Sequence, residues 1–143
     1  LSARRTGIRI AEDESRIDAR ETVLHCRLVR IASKSEPVSL DEIRTMAESL
    51  FGDMVKSVVD VQRELVALDA EMHADLESEL LAQGSQQEDL WGINLYPDLP
   101  AEEWVEFDSL INIRPSQGNR SRGVEDPAAR DRIVTIVDDS VRR

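Results

Sequence analysis

Sulfur, histidine and long apolar runs are scarce in this sequence, and each scarcity excludes something. The single cysteine, Cys26, cannot close an internal disulfide, and no cysteine spacing suited to a metal site occurs. Only two histidines are present, His25 and His73, and neither belongs to a His-Glu-x-x-His pair. No window approaches the roughly 20 apolar residues needed to span a bilayer. Residues 1–7 contain no apolar stretch of the kind that opens a secretory signal. These absences set the expectation of a soluble, cytoplasmic protein with no membrane contact. Gly-x-x-x-x-Gly-Lys and Gly-x-Ser-x-Gly are also missing, which argues against a P-loop and a hydrolase elbow. Finally, residues 64–113 hold no Lys or Arg at all, against 13 Asp and Glu.

What is there fits a small globular chain. The 143 residues are 41% apolar and 33% charged, enough for one domain with a sizeable core. The net charge of −11 makes nucleic acid an unlikely partner, because a phosphate backbone repels an acidic surface. Residues 1–26 mix Arg with Asp and Glu around isolated apolar residues. They read as a poorly ordered or loosely docked extension, with a helical turn around residues 12–22. Residues 27–143 read as a single α+β domain. The expected architecture is a small antiparallel sheet of about four to five strands packed with about three helices, in the order β-α-β-β-α-β-β-α.

Local signals place the elements. Residues 28–31 suit a first strand. Ser39-Leu40-Asp41-Glu42 is a capping box, and Leu40, Ile43, Ala47, Leu50 and Phe51 follow at helical spacing up to Gly52. Residues 54–69 are ambiguous. Met54, Val58, Val61, Leu65 and Leu68 recur at helical spacing, whereas five valines favour two strands turning near Gln62-Arg63. Met72, Leu76 and Leu80 form a second helical face that ends at Gln83-Gly84. Residues 90–96 alternate as a strand with Trp91, Ile93 and Leu95 on one side. Residues 105–113 give the clearest strand, with Val105, Phe107, Ile111 and Ile113 facing one way and Glu106, Asp108, Leu110, Asn112 and Arg114 the other. Asp126-Pro127 opens the last helix, whose buried stripe is Ile133, Ile136, Val137 and Val141.

Several stretches carry a resemblance: Phe51-Gly52-Asp53-Met54-Val55-Lys56, Val58-Val59-Asp60-Val61, His73-Ala74-Asp75, Trp91-Gly92-Ile93-Asn94-Leu95-Tyr96-Pro97, and Ile111-Asn112-Ile113-Arg114-Pro115-Ser116-Gln117-Gly118-Asn119-Arg120-Ser121. Through them the chain, from about Leu28 to Val141, resembles a family of small uncharacterised bacterial and archaeal proteins, a domain of unknown function. The resemblance implies glycines near Arg63-Glu64 and just before His73, which suit a hairpin and a turn into a helix. Here those places hold Glu64 and Asp69-Ala70. The resemblance tips residues 54–69 toward the hairpin and implies no activity or cofactor.

The chemistry-bearing residues gather in two places. Between residues 114 and 122, Arg114, Ser116, Asn119 and Arg120 surround the flexible Gly118. Guanidinium forks and backbone N–H groups of that kind suit a phosphate or carboxylate. The alternative is structural, with Arg114 and Arg120 pinning the loop to Asp or Glu of the acidic stretch. His73 and Asp75 are the second candidates, for acid–base or metal work, although one histidine makes a poor metal site and no metal set is expected. A helix-end histidine bonded to a carboxylate is the plainer expectation. Trp91 and Trp104 suit core packing or ligand stacking, and Ser85 a turn. If the strands at 90–96 and 105–113 pair, Asn94, Asn112 and Arg114 share one polar sheet face. Two functions follow as expectations. One is binding of an anionic small molecule by the 114–122 loop. The other is a non-catalytic module that binds a protein or self-associates.

Overall fold

Branched residues decide the centre of the molecule. The structure, a computed structural model, describes residues 28–143. The expectations for residues 1–26, Cys26 among them, lie outside the described residues. In chain order the elements are β1 (Arg30–Ala32), β2 (Val38–Ser39), α1 (Leu40–Leu50), β3 (Val55–Asp60), β4 (Leu65–Leu68), α2 (His73–Ala82), β5 (Leu90–Leu95), β6 (Val105–Glu106), α3 (Pro127–Ser140) and β7 (Val141–Arg142). The fold is α+β. An antiparallel sheet of order β1-β4-β3-β5-β6 forms the middle, and β2 pairs in parallel with β7 as a separate ribbon.

Residues 54–69 resolve as the hairpin β3–β4. Its strands bury apolar side chains on both faces, which is why a helical period and a strand period were both legible there. Val55, Val59, Val66, Leu68, Ile93 and Leu95 pack with Ile43 and Met46 of α1 and with Ile133, Ile136 and Val137 of α3. Val58, Ala67 and Leu90 pack on the opposite face with Leu76 and Leu80 of α2. Among the described residues the sheet therefore has helices on both sides, with α2 on the second.

The caps explain the helix boundaries. Ser39 and Glu42 close the capping box of α1. Asp126 caps α3 by accepting from the Ala128 N–H. At the end of α2, Ser85 N–H reaches the Leu80 carbonyl and Gly84 N–H the Leu81 carbonyl, a Schellman closure that needs the left-handed Gly84. The hairpin tip is tied to that same end. Asp60 accepts from the Gln62 and Arg63 N–H groups through Oδ1 and from the Ser85 hydroxyl through Oδ2. Ser85 thus has a turn-fixing role. The two places where the resemblance implies glycine, Glu64 and Asp69, both adopt left-handed backbone here, at φ 59° and 79°.

Two expectations need correction. The strand expected over residues 105–113 ends after Glu106, and a 3-10 turn over Leu110–Asn112 replaces the rest, capped by the Ser109 hydroxyl. Val141 does not continue the stripe of α3. It leaves the helix and pairs with Val38.

Candidate functional site

The 114–122 loop is built from inward bonds. Strand β5 meets β6 only at Asn94 and Leu95, so among the described residues its outer edge at Gly92 and Leu90 has no strand beside it. Side chains stand in for one. The Asn112 carboxamide accepts from Gly92 N–H and donates to the Gly92 carbonyl, as a paired peptide would, and also donates to the Arg122 carbonyl. Arg114 donates to the carbonyls of Gln87 and Leu90 and stacks over Trp91, 4.2 Å from the ring centroid. Gly92 makes this approach possible, since a Cβ there would meet Ser109 Cβ at 2.5 Å.

Asn119 organises the rest of the loop. Its Nδ2 donates to the carbonyls of Asn112, Ser121 and Gly123, and its Oδ1 accepts from Glu125 N–H. The backbone N–H groups of Arg120 and Ser121, beyond the Gly118 position around which a nest was expected, both donate to the Glu125 carboxylate. A hydrogen bond from the Ser121 side chain, followed by these backbone bonds, holds the Glu125 pKa below the ordinary carboxylate value. Ser116 and the Arg120 side chain lie exposed. The pinning of Arg114 therefore runs to backbone carbonyls rather than to the acidic side chains expected. Asn94, Asn112 and Arg114 do not share one polar face either, because Arg114 crosses to the Trp91 side. Trp104 is fully buried in the larger core cluster.

A cleft of about 310 Å³ lies elsewhere, on the α2 side of the sheet. The N-terminus of α2 brings Met72, His73 and Ala74 to it, β3 brings Lys56 with Met54 just before it, β5 brings Asn94, and the 108–111 turn and Arg122 close it. Lys56 and Asn94 are register partners across β3 and β5, which places them side by side. Of the expected site residues, His73 and Asn94 meet here. Asp75 is exposed and does not join them.

The polar groups of this cleft are only partly engaged. Helix α2 starts at Met72 without a side-chain cap. Lys56 Nζ sits 5.1 Å from the centroid of the Phe51 ring, and Arg122 Nε bonds the Asp108 carboxylate. His73 bonds through Nε2 to the Ile93 carbonyl at 2.8 Å, not to a carboxylate as expected. A carbonyl only accepts, so Nε2 carries the proton. Burial holds the imidazole below its ordinary pKa. Its hydrogen bonds with the Ile93 carbonyl and the Asn94 side chain, and the charge of Asp108, pull upward, and the charge of Lys56 pulls further downward. The ring is thus neutral at neutral pH, with the lone pair on Nδ1.

Lys56 was not singled out in the sequence, and Arg122 entered only as the end of the 114–122 loop. The one available signal was their rarity among acids, since Arg122 ends the basic cluster that follows residues 64–113. Among the described residues no group of three or more His, Cys, Asp or Glu is arranged to hold a metal ion, and no helix is long and apolar enough to cross a membrane. No curated protein and no solved structure matches the chain. The family model described as Protein of unknown function (DUF5674) matches residues 31–140, and the chain belongs to that family.

Proposed function

We propose that this domain binds a small anionic molecule, phosphorylated or carboxylated, in the cleft at the N-terminus of α2. One observation carries the reading: two cations, Lys56 and Arg122, line a cleft on a protein of net charge −11. With Asp108 as the one acid in the lining and His73 neutral, the lining carries a net charge of about +1. The start of α2, which no side chain caps, adds the partial positive charge of a helix end, offset in part by Asp75 in its first turn. Met54, Met72, Leu110 and Ile111 supply apolar contact, and the volume lies at the small end of ligand pockets. The 114–122 loop contributes through Arg122, while Arg114 and Asn119 are bonded to backbone carbonyls.

The test is a two-dimensional NMR titration of the whole chain with inorganic phosphate and with acetate. The expected result is saturable shifts at Lys56, His73, Ala74 and Arg122, weakened at least tenfold in Lys56→Ala and Arg122→Ala. Shifts that appear around Arg120 and Ser121 instead, or that do not saturate, overturn it.

A second reading rests on Met72 and Leu110, which are 55% and 67% exposed at the cleft rim. They suit contact with a protein partner or a second copy of the chain. Light scattering checks the second copy. A dimer abolished by Leu110→Glu supports it, and a monomer at all concentrations removes it.

A further inference from the structure

The neutral hydrogen-bonding side chains of the cleft are turned toward one another and toward the backbone. Asn94 is 5% exposed, gives its Nδ2 to Glu106 Oε1 at 2.9 Å and to the Asp108 carbonyl at 3.3 Å, and keeps its Oδ1 buried. His73 bonds the Ile93 carbonyl and the Asn94 side chain. Ser109 is 1% exposed, and its hydroxyl accepts from the Ile111 N–H. A ligand rich in hydroxyl groups finds little here to bond. What the lining presents instead is apolar surface beside two cations. Met54, Met72, Leu110 and Ile111 share the cleft with Lys56 and Arg122.

These apolar side chains come from three separate places in the chain: the entry to β3, the entry to α2 and the 108–111 turn. Two of the three methionines in the sequence are among them, and an unbranched thioether adapts its shape to what it covers. Ile111 also packs on the core cluster beneath α2, so the apolar wall of the cleft continues the core outward. Met72 and Leu110 are exposed at the rim, where cover would remove apolar surface from water. We propose that the ligand is an amphiphilic anion, with a phosphate or carboxylate head on Lys56 and Arg122 and a short hydrocarbon or thioether body against Met54, Met72, Leu110 and Ile111. This rests on the anion-binding reading above and narrows it, because the body is apolar rather than a sugar or polyol. Hydroxyl groups brought into the cleft give up water for a wall that cannot bond them, whereas methylene groups gain from the same exchange. One ligand class thus accounts for both the cations and the apolar rim.

Two probe series test this by calorimetric titration of the whole chain: acetate, butyrate and hexanoate, and inorganic phosphate, propyl phosphate and hexyl phosphate. Affinity should rise about threefold per added methylene until the apolar wall is covered. The longest member of a series should bind at least tenfold more tightly than the shortest, and the tighter series identifies the head. Propyl phosphate should also bind at least fivefold more tightly than glycerol 3-phosphate, which has the same carbon skeleton with two hydroxyl groups added. Affinity that is flat along both series, or a preference for glycerol 3-phosphate, overturns the inference and leaves the anion cleft standing. No binding by any probe, or hexanol binding as tightly as hexyl phosphate, overturns the anion-binding reading itself. Met72→Gln and Leu110→Gln replace exposed side chains, and circular dichroism checks that both variants fold. Each should weaken hexyl phosphate at least threefold more than it weakens inorganic phosphate. A gain with tail length that is undiminished when both are combined places the body outside this cleft and overturns the inference.

Discussion

The 114–122 loop and the α2 cleft are both rich in polar side chains, yet they differ in where those side chains point. In the loop and the turn before it, Asn112, Arg114 and Asn119 are buried and bonded to backbone groups, and Glu125 occupies the N–H groups that an outside anion would use. In the cleft, Lys56 lies over the exposed Phe51 ring and α2 has no side-chain cap. A run of Arg, Asn and Ser in sequence thus reports only that polar groups are needed, either to hold a wall or to meet a ligand. Satisfaction of those groups separates the two uses.

The comparison breaks most readily on stability. Removing the Asn112 side chain strips partners from the Gly92 N–H, the Gly92 carbonyl and the Arg122 carbonyl at once. Asn112→Ala should cost about 4 kcal/mol, and Arg114→Ala about 3 kcal/mol, in urea unfolding. Lys56→Ala and Arg122→Ala should each cost less than about 1 kcal/mol, since one sits over an exposed ring and the other in an exposed ion pair. If the two sets of variants cost the same, the division between a wall and a site is wrong.

A smaller effect belongs to the cleft alone and depends on pH. Burial lowers the His73 pKa in the folded state, so below the ordinary value of 6.5 the unfolded chain binds the proton more readily than the folded one. The stability contributed by neutral His73 is complete above that value and is lost as pH falls from it toward the lowered folded pKa. The slope is bounded at about 1.4 kcal/mol per pH unit. His73→Gln, which keeps a donor for Ile93, should flatten the difference between pH 7 and pH 5 relative to the parent chain. An unchanged slope places the titration elsewhere. Bound phosphate should act the other way, raising the His73 pKa, so its affinity should increase as pH falls.

How much of this was legible in the sequence depended on whether a feature was local. The capping box at Ser39, the Asp126-Pro127 start and the Gly84 stop each involve residues within a few positions, and all three helices stand where those signals put them. The strand expected at residues 105–113 failed because its alternation was real but its partner was not. Gly92 lets Ser109 and Ile111 approach β5 so closely that a turn and one carboxamide replace a strand. A glycine in mid-strand was the available warning. The cleft was out of reach, because it joins residues 54–56, 72–74, 94, 108–111 and 122 through the sheet register. The hairpin tip shows a local signal with a measurable cost. Glu64 holds left-handed backbone and pairs with Arg132 across an exposed surface. Glu64→Gly should relieve about 1 kcal/mol of strain and lose a few tenths in the ion pair, a net gain of about 0.5 kcal/mol in thermal unfolding. A net loss means that the ion pair outweighs the strain.

The smallest expected effect divides the loop itself. Arg120 and Ser116 were sequence candidates for anion binding alongside Arg114 and Asn119, but their side chains are exposed and enter none of the bonds that build the wall. Arg120→Ala and Ser116→Ala should therefore change stability by less than about 0.5 kcal/mol and leave phosphate affinity where it was. Glu125→Ala supplies the contrast within the same few residues. It frees the N–H groups of Arg120 and Ser121, so their hydrogen exchange should quicken, and the emptied nest should begin to take phosphate on its own. If Arg120→Ala instead abolishes phosphate binding while Lys56→Ala does not, the anion belongs to the loop and the roles of the two regions are reversed. If Arg120→Ala is silent and Glu125→Ala creates a second, weaker phosphate site, the loop is an anion nest that this chain fills with its own carboxylate, and the cleft is the one it leaves open.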